Sequence, residues 1–294
     1  MERKESRWGW LFIAPAFAHL LLFALAPILY AFGLSLFRTR LISPEREFAG
    51  VENYTFAVAE PSFQNALWNS ARYALVSVPL GLIVALAVAI LVNQKLKGIT
   101  LFRTIYYIPA ISSGVAIAML WQYVYLPETG MINSLLGMLG LDNKKAFLDD
   151  VGSAMWAVAI MSVFTGLGPR MVLFLAGLVG IPQELYEAGA LDGATGWRAF
   201  LKITLPMLIP TTFFVVVTST ISALQIFTPI YMMTKGGPEE STDVVGYHIY
   251  TEAWVNFNTG LASAKSFVLL VAIVAVSLVQ FRMMKSQLKG YSAA

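Results

Sequence analysis

The chain has 294 residues, 57% hydrophobic and 13% charged, with 20 Lys and Arg against 17 Asp and Glu, a net charge of +3 and a mean hydropathy of +0.68. A soluble domain carries about 25% charged residues, so a water-soluble globule of this size is excluded. The small net charge, with no basic cluster, argues against a nucleic-acid binder, and the absence of cysteine excludes disulfides, thiolate metal sites and cysteine catalysis.

Six apolar runs are long enough to cross about 30 Å of hydrocarbon. In chain order they cover about 10–36, 72–92, 105–125, 154–180, 205–232 and 266–284. Backbone in lipid must satisfy its own hydrogen bonds, so each run is predicted as a helix. The fold class is therefore an all-α integral membrane protein, a single six-helix transmembrane domain over residues 1–294. Pro15, Pro27, Pro79 and Pro109 fall in or near the spans, where neighbouring helices and water can satisfy the freed carbonyls. The first run follows Arg3, Lys4 and Arg7. It is longer than a signal-peptide core of about 7–15 residues, so an uncleaved helix is expected.

Orientation follows the Lys and Arg bias. With both termini cytoplasmic, the inside segments hold Arg3, Lys4 and Arg7, then Lys95, Lys97 and Arg103, then Arg198 and Lys202, then Arg282, Lys285 and Lys289. The outside segments hold fewer, although Arg38, Arg40 and Arg46 in the first loop run against the trend. The outside stretches, near 38–71, 126–153 and 233–265, fall below the roughly 50 residues of a folded domain. No phosphate-binding G-x-x-x-x-G-K-[ST] loop is present, and Gly236-Gly237-Pro238 reads as a turn. His19 and His248 are far apart and lack a carboxylate at ligand spacing, so no metal site is expected. No catalytic constellation and no cofactor site is legible, which places any energy source on another chain.

The segment Ile181–Pro206 is unlike an ordinary short loop. Pro182 suits the first turn of a helix. Leu185, Ala188 and Leu191 recur at helical spacing, with Glu184 and Glu187 near the helix start, where the dipole favours them. Asp192-Gly193 signals a turn, and Trp197, Phe200, Leu201 and Ile203 open a second amphipathic piece. Small residues at Ala188, Gly189, Ala190, Gly193 and Ala194 permit close approach of another surface, and Glu187 can meet a partner arginine. An interfacial amphipathic linker that only joins two spans fits the same pattern.

Glu187-Ala188-Gly189, then Gly193, then Ile203-Thr204-Leu205-Pro206 resembles the E-A-A-x-x-x-G and I-x-L-P motif of binding-protein-dependent ABC importer permeases. The longer run from Ile181 through Tyr186 to Asp192-Gly193-Ala194, with Ala176-Gly177-Leu178, Thr234-Lys235-Gly236-Gly237-Pro238 and Gly260-Leu261-Ala262-Ser263-Ala264, is similar to the carbohydrate-uptake branch, which includes maltose and glycerol-3-phosphate permeases. The resemblance covers nearly the whole chain. It departs at Gly189, where the family has Ala, which costs about 1 kcal/mol of helix propensity.

The resemblance implies a heteromeric complex: this permease, a second homologous permease, two ATPase subunits that hold ATP and Mg, and an external solute-binding protein. It implies that Tyr186, Glu187, Ala188, Gly189, Asp192, Gly193 and Ala194 form the ATPase-coupling helix and its turn. The solute would cross between the two permeases by alternating access.

Four residues are candidates for the solute path. Arg170 lies in the fourth span, where a charge costs at least about 2.5–3.5 kcal/mol and so faces protein or water. It either lines the path or pairs with a neighbouring helix. Gln225, in the fifth span, is an amide that seldom faces lipid. Gln122 and Trp121, beside Tyr123, can serve a sugar or belong to the outer aromatic belt. Lys265, at the start of the sixth span, is expected to snorkel to the interface. An anionic solute follows if both Arg170 and Lys265 face the path. The alternative is a secondary transporter or channel that needs no ATP, in which ionisable residues gather near the midplane. No intramembrane Asp or Glu and no clear internal repeat support that alternative, and it leaves residues 181–206 unexplained. The solute class stays open among neutral sugar, polyol, uronate and glycerol phosphate.

Overall fold

Helix dominates because lipid offers the backbone no hydrogen-bond partner. The computed structural model describes residues 12–43, 45–94, 98–141 and 144–291, with side chains as far as residue 284. Residues 10 and 11 of the first predicted span lie outside the described residues. So do Arg3, Lys4, Arg7, Lys95 and Lys97, and the side chains of Lys285 and Lys289.

In chain order the elements are α1 (Phe12–Ser35), β1 (Phe37–Thr39), β2 (Arg46–Phe48), α2 (Glu52–Ala59), α3 (Pro61–Val92), α4 (Ile99–Ile111), α5 (Gly114–Val124) and α6 (Met131–Met138). They continue with α7 (Ala154–Thr165), α8 (Leu167–Val179), α9 (Gln183–Leu191), α10 (Trp197–Met207), α11 (Ile209–Leu224), α12 (Thr228–Met233), α13 (Val245–Tyr250) and α14 (Thr259–Tyr291). Among the described residues three helices are by themselves long and apolar enough to cross a membrane, over Phe12–Ser35, Pro61–Val92 and Thr259–Met284. Three bent pairs raise the number to six if each pair is one span: α4 with α5 at 102°, α7 with α8 at 50°, and α10 with α11 at 65°.

The third, fourth and fifth predicted spans are thus broken rather than continuous, and each break has a local cause. After Pro109, which cannot donate to the ladder, Ser112 and Ser113 turn to extended backbone with ψ of 157° and 125°. Gly166 separates α7 from α8. Leu208 separates α10 from α11, between Pro206 and Pro210. The fifth predicted run also ends early: α11 stops at Leu224, and Pro229 opens the separate short helix α12.

The described residues form two compact units, one from 12–63 with Ile249–Val271, the other from Gln64–His248 with residues 272–291. The first holds a two-stranded antiparallel hairpin that the all-helical expectation did not include, pairing Phe37 with Phe48, Arg38 with Glu47 and Thr39 with Arg46. Asn53 Nδ2 ties it down by donating to the Ser35 and Phe37 carbonyls at 2.8 and 2.9 Å. The second unit holds two cores. Ala85 and Ala89 of α3 are fully buried against a group that includes Leu167, Met171 and Phe174 of α8. Ala118 of α5 is buried with Val158 of α7 and Ile230 of α12. Small residues let helix backbones approach closely where lipid supplies no hydrophobic drive.

Candidate functional site

The breaks that interrupt the apolar runs also create the site. Where α7 gives way to α8 and α11 ends, a cavity of about 550 Å³ is lined by Tyr73, Ser77, Ser162, Thr165, Arg170 and Gln225, among others. Gln225 is exposed to it because α11 ends one residue earlier. Arg170, in the second turn of α8, is half-buried. Its Nε donates to Ser219 Oγ at 3.0 Å, and its Nη1 is buried without a hydrogen-bond partner among the described residues. The guanidinium fits because two glycines make room: a Cβ added at Gly81 or Gly166 would stand 2.5 or 2.7 Å from Nη1.

The structure therefore brings Arg170 and Gln225 together and leaves Gln122 and Trp121 out. Gln122 Nε2 donates to the Met232 carbonyl at 2.7 Å and so clamps α5 to α12. Trp121 packs against Tyr125 and Phe164, with ring centroids 5.4 and 5.5 Å apart. Tyr123 is 72% exposed, as an interfacial aromatic would be.

Lys265 does not snorkel. It is fully buried, with Nζ 2.7 Å from Glu60 Oε2 and 2.8 Å from Glu252 Oε2, and it lies 5.5 Å from the centre of the Phe63 ring. Sequence reading missed this because Glu60 is remote along the chain and both glutamates fall in stretches assigned to loops. His248 likewise has a carboxylate that spacing did not suggest: its Nδ1 meets Asp243 Oδ2 at 2.8 Å.

The segment 183–207 folds as a helix, a turn and a helix. Pro182 stands just before the helix rather than inside it, and Gly193 takes the turn with φ of 74°, a conformation glycine adopts without strain. The seven coupling candidates separate into two groups. Tyr186, Gly189 and Ala194 are half-buried. The Tyr186 hydroxyl is 2.9 Å from Thr204 Oγ1, and the Ala194 amide donates to the Gly189 carbonyl at 2.7 Å. Glu187, Ala188, Asp192 and Gly193 are exposed, beside Leu191, which is 91% exposed.

Residues 77–289 match the family model of the binding-protein-dependent transport system inner membrane component. The chain belongs to that family. This transport-system component is 36% identical over 280 residues, 94% of this chain and 96% of the relative, to the probable ABC transporter permease protein YurN of Bacillus subtilis. It is 31% identical to the trehalose/maltose transport system permease protein MalF of Thermococcus litoralis, over 96% of this chain and 95% of that one. It is 30% identical to the sn-glycerol-3-phosphate transport system permease protein UgpA of Salmonella typhimurium, over 97% of each. Its fold matches a chain of a bacterial ABC transporter involved in the import of the acidic polysaccharide alginate, with a TM-score of 0.82, 24% identity and coverage of 96% and 98%. The component is a permease subunit and not an ATPase, as expected from the sequence motifs.

The permease's cavity includes residues that sequence reading did not single out: Tyr73, Ser77, Ser162 and Thr165. A signal for them exists in the spacing, since Tyr73 with Ser77 and Ser162 with Thr165 stand one helical turn apart on apolar runs.

Proposed function

We propose that this permease forms one half of the path by which a sugar or sugar-like solute enters the cell by alternating access. The cavity that holds Arg170 and Gln225 is the part of that path on this chain. The observation that carries the reading is the cavity itself: an opening that gathers Arg170, Gln225 and several hydroxyls at the breaks of otherwise apolar helices. Irregular backbone at membrane depth is tolerated where it lines a water-filled space. The relatives named for trehalose/maltose and glycerol-3-phosphate transport support a solute of carbohydrate type.

The other half is a second homologous permease. Two ATPase subunits hold ATP and Mg, one of them takes the exposed face of Glu187, Ala188, Asp192 and Gly193 into a cleft, and an external binding protein delivers the solute. Both termini lie in the cytoplasm of a bacterial cell. Closing of the ATPase pair moves the coupling helix as a rigid body, and the Tyr186–Thr204 contact passes that motion to α10 and α11.

Gentle extraction of the tagged chain from its native membrane, followed by identification of co-purifying proteins, tests the reading. Recovery of an ATPase and a second permease is expected. Recovery of the chain alone, with solute flux in ATP-free liposomes, would replace the importer with a secondary carrier or channel.

A further inference from the structure

Arg170 is the one charged residue lining its cavity among the described residues. A guanidinium is always protonated and carries five donors in a planar fork. Here one donor is spent on Ser219, and among the described residues Nη1 is buried and unsatisfied and no Asp or Glu lines the same space. The site is built for the group, since the missing side chains of Gly81 and Gly166 provide the room that the guanidinium fills. A cation held at membrane depth without a counter-ion is unfavourable and makes the cavity attract negative charge. The remaining polar lining is hydroxyl and amide, from residues that include Tyr73, Ser77, Ser162, Thr165 and Gln225, groups that hydrogen-bond sugar hydroxyls.

We infer that the solute is an anionic sugar-like molecule, whose carboxylate or phosphate meets Arg170 while its hydroxyls meet the surrounding hydroxyls and amide. This rests on the cavity being part of the solute path. Lys265 plays no part in it, because that ammonium is held by Glu60 and Glu252. A fork suits both anions, since guanidinium binds carboxylate and phosphate alike.

The chain has no cysteine, so Ser222→Cys places a single thiol of this subunit in the cavity wall of the complete importer. Two methanethiosulfonates of similar size, anionic sulfonatoethyl and cationic trimethylammonioethyl, then report which charge the cavity attracts. Relative to their rates with free cysteine, the anionic reagent should react about tenfold faster than the cationic one. Arg170→Gln should abolish that preference and Arg170→Lys should keep most of it. Uptake is followed in parallel for a labelled uronide disaccharide, a labelled hexose phosphate and the carboxyl-reduced neutral disaccharide. Loss in Arg170→Gln confined to the uronide names a carboxylate, and loss confined to the hexose phosphate names a phosphate. Thiol modification that leaves uptake intact would remove the cavity from the path, and the inference with it. Modification that blocks uptake without charge preference, or an Arg170→Gln importer that loses neutral and acidic uptake equally, would keep the path and overturn the anionic solute.

Discussion

Ile203 fills the space that a side chain at Gly189 would need: its Cδ1 lies 2.5 Å from where a Cβ at position 189 would stand. The departure from the family's Ala at this position thus has a packing cause. The coupling helix gives up a methyl, and the helix that follows supplies one. The flexible end of Ile203 can rotate away from a single added carbon, but not from a branched side chain. Gly189→Ala should therefore be close to neutral, because about 1 kcal/mol of helix propensity offsets a small repacking cost. Gly189→Val should cost about 1–3 kcal/mol and weaken ATPase retention. Thermal unfolding of the purified complex and quantitative pull-down of the ATPase measure both, and equal behaviour of the two variants would remove Ile203 from the explanation.

The exposed carboxylate of Glu187 stands apart from the buried side of the same helix. Glu187→Arg should leave the chain inserted in the membrane and abolish both ATPase recovery and uptake. Uptake at the unmodified level would show that this face is not the docking surface.

Tyr186 and Thr204 join α9 to α10, the first half of the bent pair that follows. Tyr186→Phe removes the hydroxyl and should cost about 0.5–1.5 kcal/mol. It should also raise the ATP hydrolysed per solute moved, because a looser joint transmits less motion. A double-mutant cycle with Thr204→Val isolates the pair, and additive effects would mean that the two hydroxyls do not act together.

Lys265 is fully buried and pairs with two carboxylates, Glu60 at 2.7 Å and Glu252 at 2.8 Å. Lys265→Met leaves buried charge uncompensated and should destabilise by about 3–5 kcal/mol. Adding Glu60→Gln and Glu252→Gln to the same chain should recover much of that loss. Melting temperatures of the detergent-solubilised variants decide between this and a surface lysine, whose removal would change little.

Two glutamines separate path from scaffold. Gln225→Ala should lower uptake with little change in stability, since its amide is exposed to the cavity. Gln122→Ala breaks the bond to the Met232 carbonyl and should cost about 1 kcal/mol of stability without altering which solute is taken up. Competition uptake assays across a sugar panel, with melting curves on the same preparations, distinguish the two.

The helical membrane class and the helix–turn–helix of residues 183–207 were legible in the sequence because both rest on local signals. Long apolar runs report the bilayer directly, and Pro182, the Leu185–Ala188–Leu191 spacing and Asp192-Gly193 mark a helix and its turn. Arg170 stood out for a similar reason, since a charge within an apolar run needs protein or water around it.

Tertiary structure decided what those local signals leave open. Apolar runs carry no mark of how sharply a helix turns at Ser112, Gly166 or Leu208, so three spans each read as one helix were found bent. Polarity alone could not separate Gln225, which faces a cavity, from Gln122, which holds a carbonyl on a neighbouring helix. Nor could it tell an ammonium that snorkels from Lys265, whose counter-charges are Glu252 in the preceding loop and Glu60 from a distant part of the chain. Sequence fixes which residues cannot face lipid. Only the packing of helices chooses what each of them faces instead, because its partners come from segments far apart along the chain.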